Sequence, residues 1–252
     1  MITKVKTASE IAAMRESGRM LATVLDILRK QVKPGMTTQQ LADIAESELK
    51  ALGGEPTFRG YQGFPGVICL SLNAEVVHGI PSNDRFIQEG DLLGMDFGVT
   101  YKGMITDSAI SLIVGKPRQM GHVELVKNTE AALMVGVQAV HDQVRTGDIG
   151  HYIEKFLKHH RYGIVRDLVG HGVGHQLHED PNIPNYGRAN TGPWLSAGMT
   201  IAIEPMVTLG TDRVSVADDG WTIVTADGSW AAHFEHTILI TEDGAEILTQ
   251  LQ

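Results

Sequence analysis

Apolar residues recur at helical spacing in the first part of the chain. Within residues 8–33 they return every three or four positions, which predicts a helix with one apolar face. Thr37 and Gln40 have the spacing of a capping box, so we predict a second helix that begins there and runs through Lys50. Gly53, directly after this segment, is a typical residue for the end of a helix.

The rest of the chain combines two further helical patterns with short apolar runs. The helical patterns cover residues 121–144 and 148–160. The apolar runs predict strands at 67–72, 75–80, 92–101, 105–114, 165–169, 199–208, 221–225 and 233–241. Because no linker or low-complexity segment divides this series, we expect one domain over residues 1–252.

Four acidic residues interrupt apolar runs that are predicted to be strands. They are Asp96 in LLGMDFGV, Asp107 in MITDSAIS, Glu204 in TIAIEPMV and Glu235 in AHFEHTILI. A buried carboxylate without a partner costs several kcal/mol or becomes neutral. The chain contains 21 Lys and Arg residues, and none lies in these four runs. The acids therefore need a shared positive charge, which a bound metal would supply.

The first two acids lie on neighbouring predicted strands joined by a short hairpin near Tyr101-Lys102-Gly103. Asp96 and Asp107 are then directly opposite or one diagonal step apart, with Cβ atoms about 4.5–8 Å from each other. Because side chains alternate between the faces of a strand, the acids share their face with Gly and Ala. We expect open volume beside each carboxylate. The opposite face of the first strand is expected to be packed core, formed by Leu93, Met95, Phe97 and Val99.

His171, the first histidine of GHGVGHQLH, completes a set of five candidate metal ligands. Four carboxylates and one imidazole can hold two divalent ions roughly 3.5–4 Å apart, with carboxylates bridging them. Ligands that are mostly oxygen favour Mn, Fe(II), Co or Zn over a structural zinc site. Such a centre activates water for hydrolysis of an amide or an ester. The alternative is that the acids form separate structural ion pairs or helix caps.

The order helix, helix, strands occurs twice, which predicts a duplicated α+β unit with a pseudo-twofold axis. Asp96 and Glu204 lie 108 positions apart, and Asp107 and Glu235 lie 128 positions apart. His171 has no such counterpart and would make the two metal positions inequivalent. The site is expected where the two halves meet. The halves are predicted at about residues 8–115 and 121–249.

The other histidines can be structural or surface residues as well as functional ones. His78 and His178 each lie three residues before a proline. They are surface or structural groups, or they contact the substrate at a carbonyl oxygen or a scissile nitrogen. His159 and His160 end a predicted helix and are expected at the surface. For His175 both readings stay open.

Composition limits the class of protein. A formal net charge of −9 disfavours nonspecific binding to nucleic acid or membrane. Cys69 is the one cysteine, which fits a reducing compartment. The sequence has no signal-peptide pattern, and no apolar run reaches the roughly 18 residues of a membrane span. We expect a cytoplasmic protein.

With these residues in place, the chain resembles the type I methionine aminopeptidases, which are creatinase-like "pita-bread" metallopeptidases. The resemblance runs from about Lys6 to Thr249 and includes NAEVVHGIP, GHGVG, IEPMV and FEHT in that order, with the acids at 96 and 107 eleven positions apart. It implies an α+β pita-bread fold, in which two pseudo-twofold related halves surround a curved antiparallel sheet. It also implies two divalent ions, Co, Mn, Fe or Zn, bound by the five candidate ligands.

The resemblance also implies a reaction and residue roles. The reaction is removal of the N-terminal methionine from nascent proteins and peptides with a small second residue, by attack of a metal-bridging water or hydroxide on the first peptide bond. Asp107 and Glu235 would be the bridging carboxylates, and Glu204 the proton shuttle. His178 would steady the carbonyl oxygen, and His78 would contact the scissile amide nitrogen.

An apolar pocket for the methionine side chain is implied as well, and aromatic rings suit a thioether. Its wall would be formed by Tyr61, Phe64, Cys69, Leu177 and Trp221. Phe58 stands where the family often has cysteine, Leu177 where an aromatic residue is common, and Phe64 where tyrosine is common. We expect these differences to change the size of the pocket and its tolerance for other side chains.

The sequence leaves two rival functions open. Aminopeptidase P and prolidase share the fold but generally carry an additional N-terminal domain, and we expect no such domain before residue 8. A noncatalytic binding protein on this fold, such as a ribosome-associated factor, typically loses metal ligands. The resemblance instead implies the short bacterial form of the enzyme, a monomer that contacts the ribosome transiently and binds neither specific nucleic acid nor membrane.

Overall fold

Four helices account for most of the helical residues in the computed structural model, which describes residues 3–251. They are α1 (Ala8–Gln31), α2 (Thr38–Leu52), α3 (Met120–Gln138) and α4 (Thr146–Lys158). A single turn of 3-10 helix follows at Tyr61–Gly63. No helix in the described part of the chain is long and apolar enough to cross a membrane.

Seventeen strands, most of them short, lie among the described residues. They are β1 (Glu55–Pro56), β2 (Cys69–Leu72), β3 (Glu75–Val77), β4 (Leu92–Tyr101), β5 (Met104–Ile113), β6 (Val144–Arg145), β7 (Gly163–Ile164), β8 (Gly170–Gly172), β9 (Glu179–Ile183), β10 (Trp194–Leu195), β11 (Thr200–Ile203), β12 (Met206–Thr208), β13 (Val214–Val216), β14 (Ile223–Thr225), β15 (Ala231–His233), β16 (His236–Ile240) and β17 (Ala245–Ile247).

Side-chain caps begin the first two helices. The predicted capping box of α2 is present: Gln40 N donates to Thr37 Oγ1 at 3.2 Å, and Thr37 N donates to Gln40 Oε1 at 2.9 Å. Gly53 ends this helix in the left-handed conformation, with φ of 84°. Thr7 and Glu10 form a second capping box at α1, which the sequence analysis did not identify.

The long hairpin of β4 and β5 dominates the first half of the chain. The strands pair from Leu92 with Ile113 to Tyr101 with Met104, and the predicted turn is formed by Lys102-Gly103, both with positive φ. One face of β4 is fully buried and belongs to a cluster shared with residues of α1 and α2. This confirms the predicted core face of Leu93, Met95, Phe97 and Val99.

A five-stranded antiparallel sheet in the second half has the order β17-β16-β11-β8-β9. Aliphatic residues of this sheet and of the helices α3 and α4 form one large buried cluster. Its members include Leu125, Leu133, Ile149, Ile153, Ile201, Ile203 and Ile238.

The β4–β5 hairpin of the first half contacts the second half through β5, which lies beside Glu235 and β16. Ala109 and Glu235 form an isolated antiparallel bridge, in which Glu235 N donates to Ala109 O at 2.9 Å. Asp107 N donates to Thr237 Oγ1 at 2.9 Å, so β5 lies beside the start of β16. This contact brings Asp107 and Glu235 to the same place. The single domain and the duplication stay predictions, and residues 1, 2 and 252 lie outside the described part.

Two strand predictions fail because the backbone breaks at polar residues. Predicted strand 199–208 is divided into β11 and β12 at Glu204-Pro205, since proline has no N–H to donate to a sheet. Predicted strand 233–241 is divided at Phe234-Glu235. Both metal-ligand candidates therefore lie at breaks between strands. This position frees their side chains from the regular alternation of a sheet.

Three further boundaries differ from the predictions. Residues 165–169 are irregular and lie between β7 and β8, so the predicted strand is wrong. Helix α3 ends at Gln138 although apolar spacing continues to 144, and a turn in which Gln143 has φ of 58° leads into β6. Strand β3 ends at Val77, since His78 has φ of 61°.

Candidate metal centre

The five candidate ligands line one cavity of about 150 Å³. Its wall combines residues of the β4–β5 hairpin, of β8 and of the two strand breaks at Glu204 and Glu235. The remaining lining residues are Phe58, Tyr61, Gln62, Phe64, Cys69, His78, Leu177, His178 and Trp221. The structure thus places every residue of the predicted site on one cavity.

The register of the hairpin sets the positions of the first two acids. Asp96 lies opposite Ala109, and Asp107 lies opposite Gly98, so the two acids are diagonal neighbours. The expectation of open volume on this face is wrong at Gly98. A Cβ there would lie 2.5 Å from Phe58 Cε1, because the Phe58 ring occupies the space that the glycine leaves.

His171 lies at the centre of β8 between two glycines. A Cβ at Gly170 would collide with the carbonyl oxygen of Ala202, so only glycine lets β8 approach β11 this closely. His171 Nδ1 donates to Gly172 O at 2.9 Å, which leaves the proton off Nε2. Nε2 lies 3.4 Å from Glu204 Oε1. Two unprotonated acceptors at this distance need a cation or a proton between them.

The carboxylate oxygens of the site lack the partners that a bound metal would supply. Asp96 Oδ1, Asp107 Oδ1 and Glu235 Oε1 are buried without a hydrogen-bond partner. Within residues 3–251, no lysine or arginine forms an ion pair with any of the four acids. Ligand atoms of Asp107, His171 and Glu235 lie within 4.8 Å of one another. Asp96 and Glu204 line the same cavity outside this tightest group.

Burial shifts the pKa values of all five side chains. It raises the pKa of Asp96 to about 7. Burial, followed by repulsion from neighbouring carboxylates, raises the pKa values of Asp107, Glu204 and Glu235 well above their usual range. For His171, burial lowers the pKa to about 3, so the imidazole is neutral and able to bind a metal. A bound cation would reverse the effect on the acids.

One buried histidine was missed by the sequence analysis. His233 Nε2 lies 3.6 Å from Glu204 Oε2 and has no hydrogen-bond partner. Burial is the main cause that lowers the pKa of His233 to about 3. The Glu204 carboxylate therefore lies between His171 and His233. The signal available in the sequence was the position of His233, two residues before Glu235 in an apolar run.

The two histidines near prolines lie at the rim of the cavity. His78 is half-buried in a left-handed conformation, and His178 is exposed. Partial desolvation lowers the pKa of each ring, and for His78 the nearby His178 lowers it further. Tyr61 Oη lies 2.8 Å from His178 Nδ1. His159 and His160 are exposed, as predicted.

A buried ion pair holds the loop that carries His178. Lys6 Nζ donates to Glu179 Oε2 at 3.2 Å, and both side chains are almost fully buried. Glu179 Oε1 accepts hydrogen bonds from the backbone N–H groups of His175 and Gln176 at 2.7 and 3.0 Å. The His175 ring is accounted for by a structural contact, since its Nε2 lies 2.7 Å from Glu10 Oε1.

An apolar cluster adjoins the acids. Phe58, Phe64, Cys69 and Leu177 are buried in it, and Tyr61, Ile80, Ile105 and Trp221 pack against it. The rings of Phe64 and Trp221 meet edge to face, with centroids 5.3 Å apart. Cys69 pairs with Asp96 across β2 and β4, so the apolar cluster begins directly beside the candidate metal ligands.

Comparison with known proteins identifies the family. The profile of metallopeptidase family M24 matches residues 12–242. The methionine aminopeptidase of Clostridium acetobutylicum is 44% identical over 245 residues, which cover 97% of this chain and 98% of the relative. The chain belongs to metallopeptidase family M24, among the methionine aminopeptidases.

Solved structures agree with this membership of family M24. The crystal structure of the Thermotoga maritima methionine aminopeptidase has a TM-score of 0.97, 45% identity, and coverage of 99% of this chain and 100% of that chain. A prolidase from Pyrococcus furiosus, 24% identical with a TM-score of 0.79, shares the fold alone. The predicted α+β pita-bread fold is confirmed. Membership also confirms the prediction of a metal-dependent peptidase, which is a hydrolase.

Proposed function

We propose that this protein removes the N-terminal methionine from peptides and nascent proteins, with a preference for a small second residue. The observation that carries this proposal is the position of the apolar cluster, which begins directly beside the five candidate metal ligands. An exopeptidase that recognises one apolar side chain needs both features next to each other. Methionine aminopeptidases that are similar over nearly the whole chain support the assignment.

Two divalent ions, Co, Mn, Fe or Zn, are the proposed cofactors. Asp96, Asp107, His171, Glu204 and Glu235 would hold them. The unpartnered buried carboxylate oxygens and the unprotonated His171 Nε2 support this ligand set. When bound, such ions lower the pKa of water and stabilise negative charge on the reacting carbonyl group.

Three side chains of the cavity have proposed roles in peptide hydrolysis. Glu204, held between His171 and His233, carries a proton from the attacking water to the leaving amine nitrogen. His178 donates a hydrogen bond to the carbonyl oxygen, where negative charge develops. His78 contacts the scissile amide nitrogen.

The methionine side chain is proposed to bind among Tyr61, Phe64, Cys69, Leu177 and Trp221. Sulfur next to aromatic rings is favourable, and the cluster offers Phe64 and Trp221 for this contact. The buried Phe58 ring fills the space beside Gly98. Leu177 adds an aliphatic side chain to the wall.

We expect Met-Ala-Ser to be cleaved at least about tenfold faster than Leu-Ala-Ser, because a shape mismatch in an apolar pocket is worth ~1–3 kcal/mol. Cleavage should depend on added Mn or Co, and Xaa-Pro peptides should remain intact. The measurement is kcat/KM for each peptide, with an Asp107→Asn preparation as the control for contaminating peptidases. Equal turnover of Xaa-Pro peptides would rule out the methionine assignment.

We further propose that the enzyme acts as a monomer in the cytoplasm and contacts the ribosome only transiently. The single buried Cys69 suits a reducing compartment. A net charge of −9 supports the absence of nucleic-acid and membrane partners.

A further inference from the structure

The His178 ring makes one hydrogen bond within the described residues, and its partner is a tyrosine. Tyr61 Oη lies 2.8 Å from His178 Nδ1. The two rings are also in contact, with centroids 5.4 Å apart and planes tilted by 42°. His178 is exposed at the rim, and its ring also meets the His171 ring edge to face, with centroids 4.3 Å apart, in a contact that supplies no hydrogen bond. The tyrosine hydroxyl is therefore the main polar restraint on this side chain.

The turn that carries Tyr61 has an unusual backbone. Gly60 and Gly63 have φ of 84° and 91°, and Gln62 between them has φ of 49°. A non-glycine residue in this region is strained by about 1–3 kcal/mol. Hydrogen bonds from Tyr61 N to Phe58 O at 3.0 Å and from Gly60 N to Phe64 O at 2.8 Å close the turn. The strained turn fixes the direction in which the tyrosine side chain leaves the backbone.

A neutral imidazole has one nitrogen that donates and one that accepts. If the Tyr61 hydroxyl donates to Nδ1, the ring proton lies on Nε2. Nε2–H is then the group available to a substrate carbonyl oxygen. We propose that Tyr61 is a positioning residue for His178: its hydroxyl fixes the ring orientation and keeps the proton on Nε2. This inference rests on the proposed function, in which His178 contacts the carbonyl oxygen.

The same residue also forms part of the apolar cluster, so two roles must be separated. As a pocket wall, Tyr61 acts through its ring, which Tyr61→Phe preserves. As a positioning residue, it acts through the hydroxyl, which Tyr61→Phe removes. The substitution therefore tests the hydroxyl without changing the apolar surface that would contact methionine.

We expect Tyr61→Phe to lower kcat for Met-Ala-Ser about tenfold, as the loss of one oriented hydrogen bond does, with KM changed by less than about twofold. The control is Tyr162→Phe, which removes a hydroxyl that accepts a hydrogen bond from Asn128 Nδ2 at 3.1 Å outside the cavity. Its kcat should equal that of the wild type. A Tyr61→Phe enzyme with unchanged kcat would overturn the inference.

A double-mutant cycle shows whether Tyr61 acts through His178. In the His178→Ala background, Tyr61→Phe should change kcat by less than about 1.5-fold, because the partner is gone. The same tenfold loss in both backgrounds would overturn the inference, since Tyr61 would then act independently of the histidine. If His178→Ala alone retains full activity, the role of His178 in the proposed function fails as well. Loss of activity in His178→Ala with no effect of Tyr61→Phe contradicts only the present inference.

The tautomer of His178 can be measured without following the reaction. Histidine labelled with ¹⁵N in the zinc-loaded, diamagnetic protein gives separate signals for protonated and unprotonated ring nitrogens, and the His178→Ala spectrum assigns them. We expect protonation at Nε2 in the wild type and a mixture of tautomers in Tyr61→Phe. A proton on Nδ1 in the wild type, or identical spectra for both proteins, would overturn the inference.

Discussion

Glu204→Gln is expected to reduce kcat/KM for Met-Ala-Ser by about 10³-fold while the protein stays folded. Proton transfer by a positioned side chain contributes ~10²–10⁴-fold, and a glutamine amide cannot take part in it. The substitution preserves the volume of a side chain that lies between His171 and His233. The measurement is steady-state kinetics together with circular dichroism of the same preparation.

The matched control for this variant is Glu246→Gln. Glu246 forms a surface ion pair with Arg15 at 2.7 Å, and such pairs contribute ~0–1 kcal/mol. Its kinetics should therefore equal those of the wild type. Elemental analysis of Glu204→Gln separates a loss of proton transfer from a loss of metal. Wild-type turnover of Glu204→Gln would remove Glu204 from the mechanism.

Asp107→Asn is expected to stabilise the metal-free protein at pH 8 and to destabilise the protein that is supplied with Mn. The pKa of Asp107 is raised in the folded state, mainly by burial and then by repulsion from Asp96 and Glu204. A group with a raised pKa contributes its stability below its unfolded pKa of about 4, and loses it as pH rises through the folded value. The metal-free wild type should therefore lose this contribution at high pH, whereas a neutral asparagine has none to lose.

The measurement is the melting temperature in chelator and in Mn at pH 5 and pH 8. In chelator at pH 8, Asp107→Asn should melt about 2–12 °C above the wild type, since ~1–3 kcal/mol corresponds to roughly 2–4 °C per kcal/mol at this size. The difference should shrink at pH 5 and reverse with Mn. Asp212→Asn, at an exposed pair with Arg166, is the control and should change nothing. A metal-free Asp107→Asn that melts below the wild type at pH 8 would contradict the buried cluster of like charges.

Much of the fold could be predicted from local patterns in the sequence. The bounds of β4 are those predicted, and the capping box at Thr37 and the two-residue turn at Lys102-Gly103 are present. Each of these features depends on residues close in sequence, whose spacing determines periodicity, capping and turn type. Buried acids could be recognised for the same reason, since Asp96 and Asp107 contrast with the apolar residues beside them.

Three features that depend on distant contacts could not be predicted. The hydrogen bond of Tyr61 with His178 joins residues 117 positions apart, and nothing local indicates it. The alternation of side chains along β4 predicted the face on which Gly98 lies. It did not predict that the Phe58 ring packs against Gly98 on that face. His233 became a candidate only when the break after β15 placed it beside Glu204.

The central claim is that five side chains hold two metal ions beside an apolar pocket. The most direct test is anomalous diffraction from crystals of the Mn-loaded protein, measured at the Mn absorption edge. We predict two anomalous peaks about 3.5–4 Å apart in the cavity, both in contact with Asp107 and Glu235, and one in contact with His171. A single peak at saturating Mn, or peaks away from these side chains, would contradict the claim.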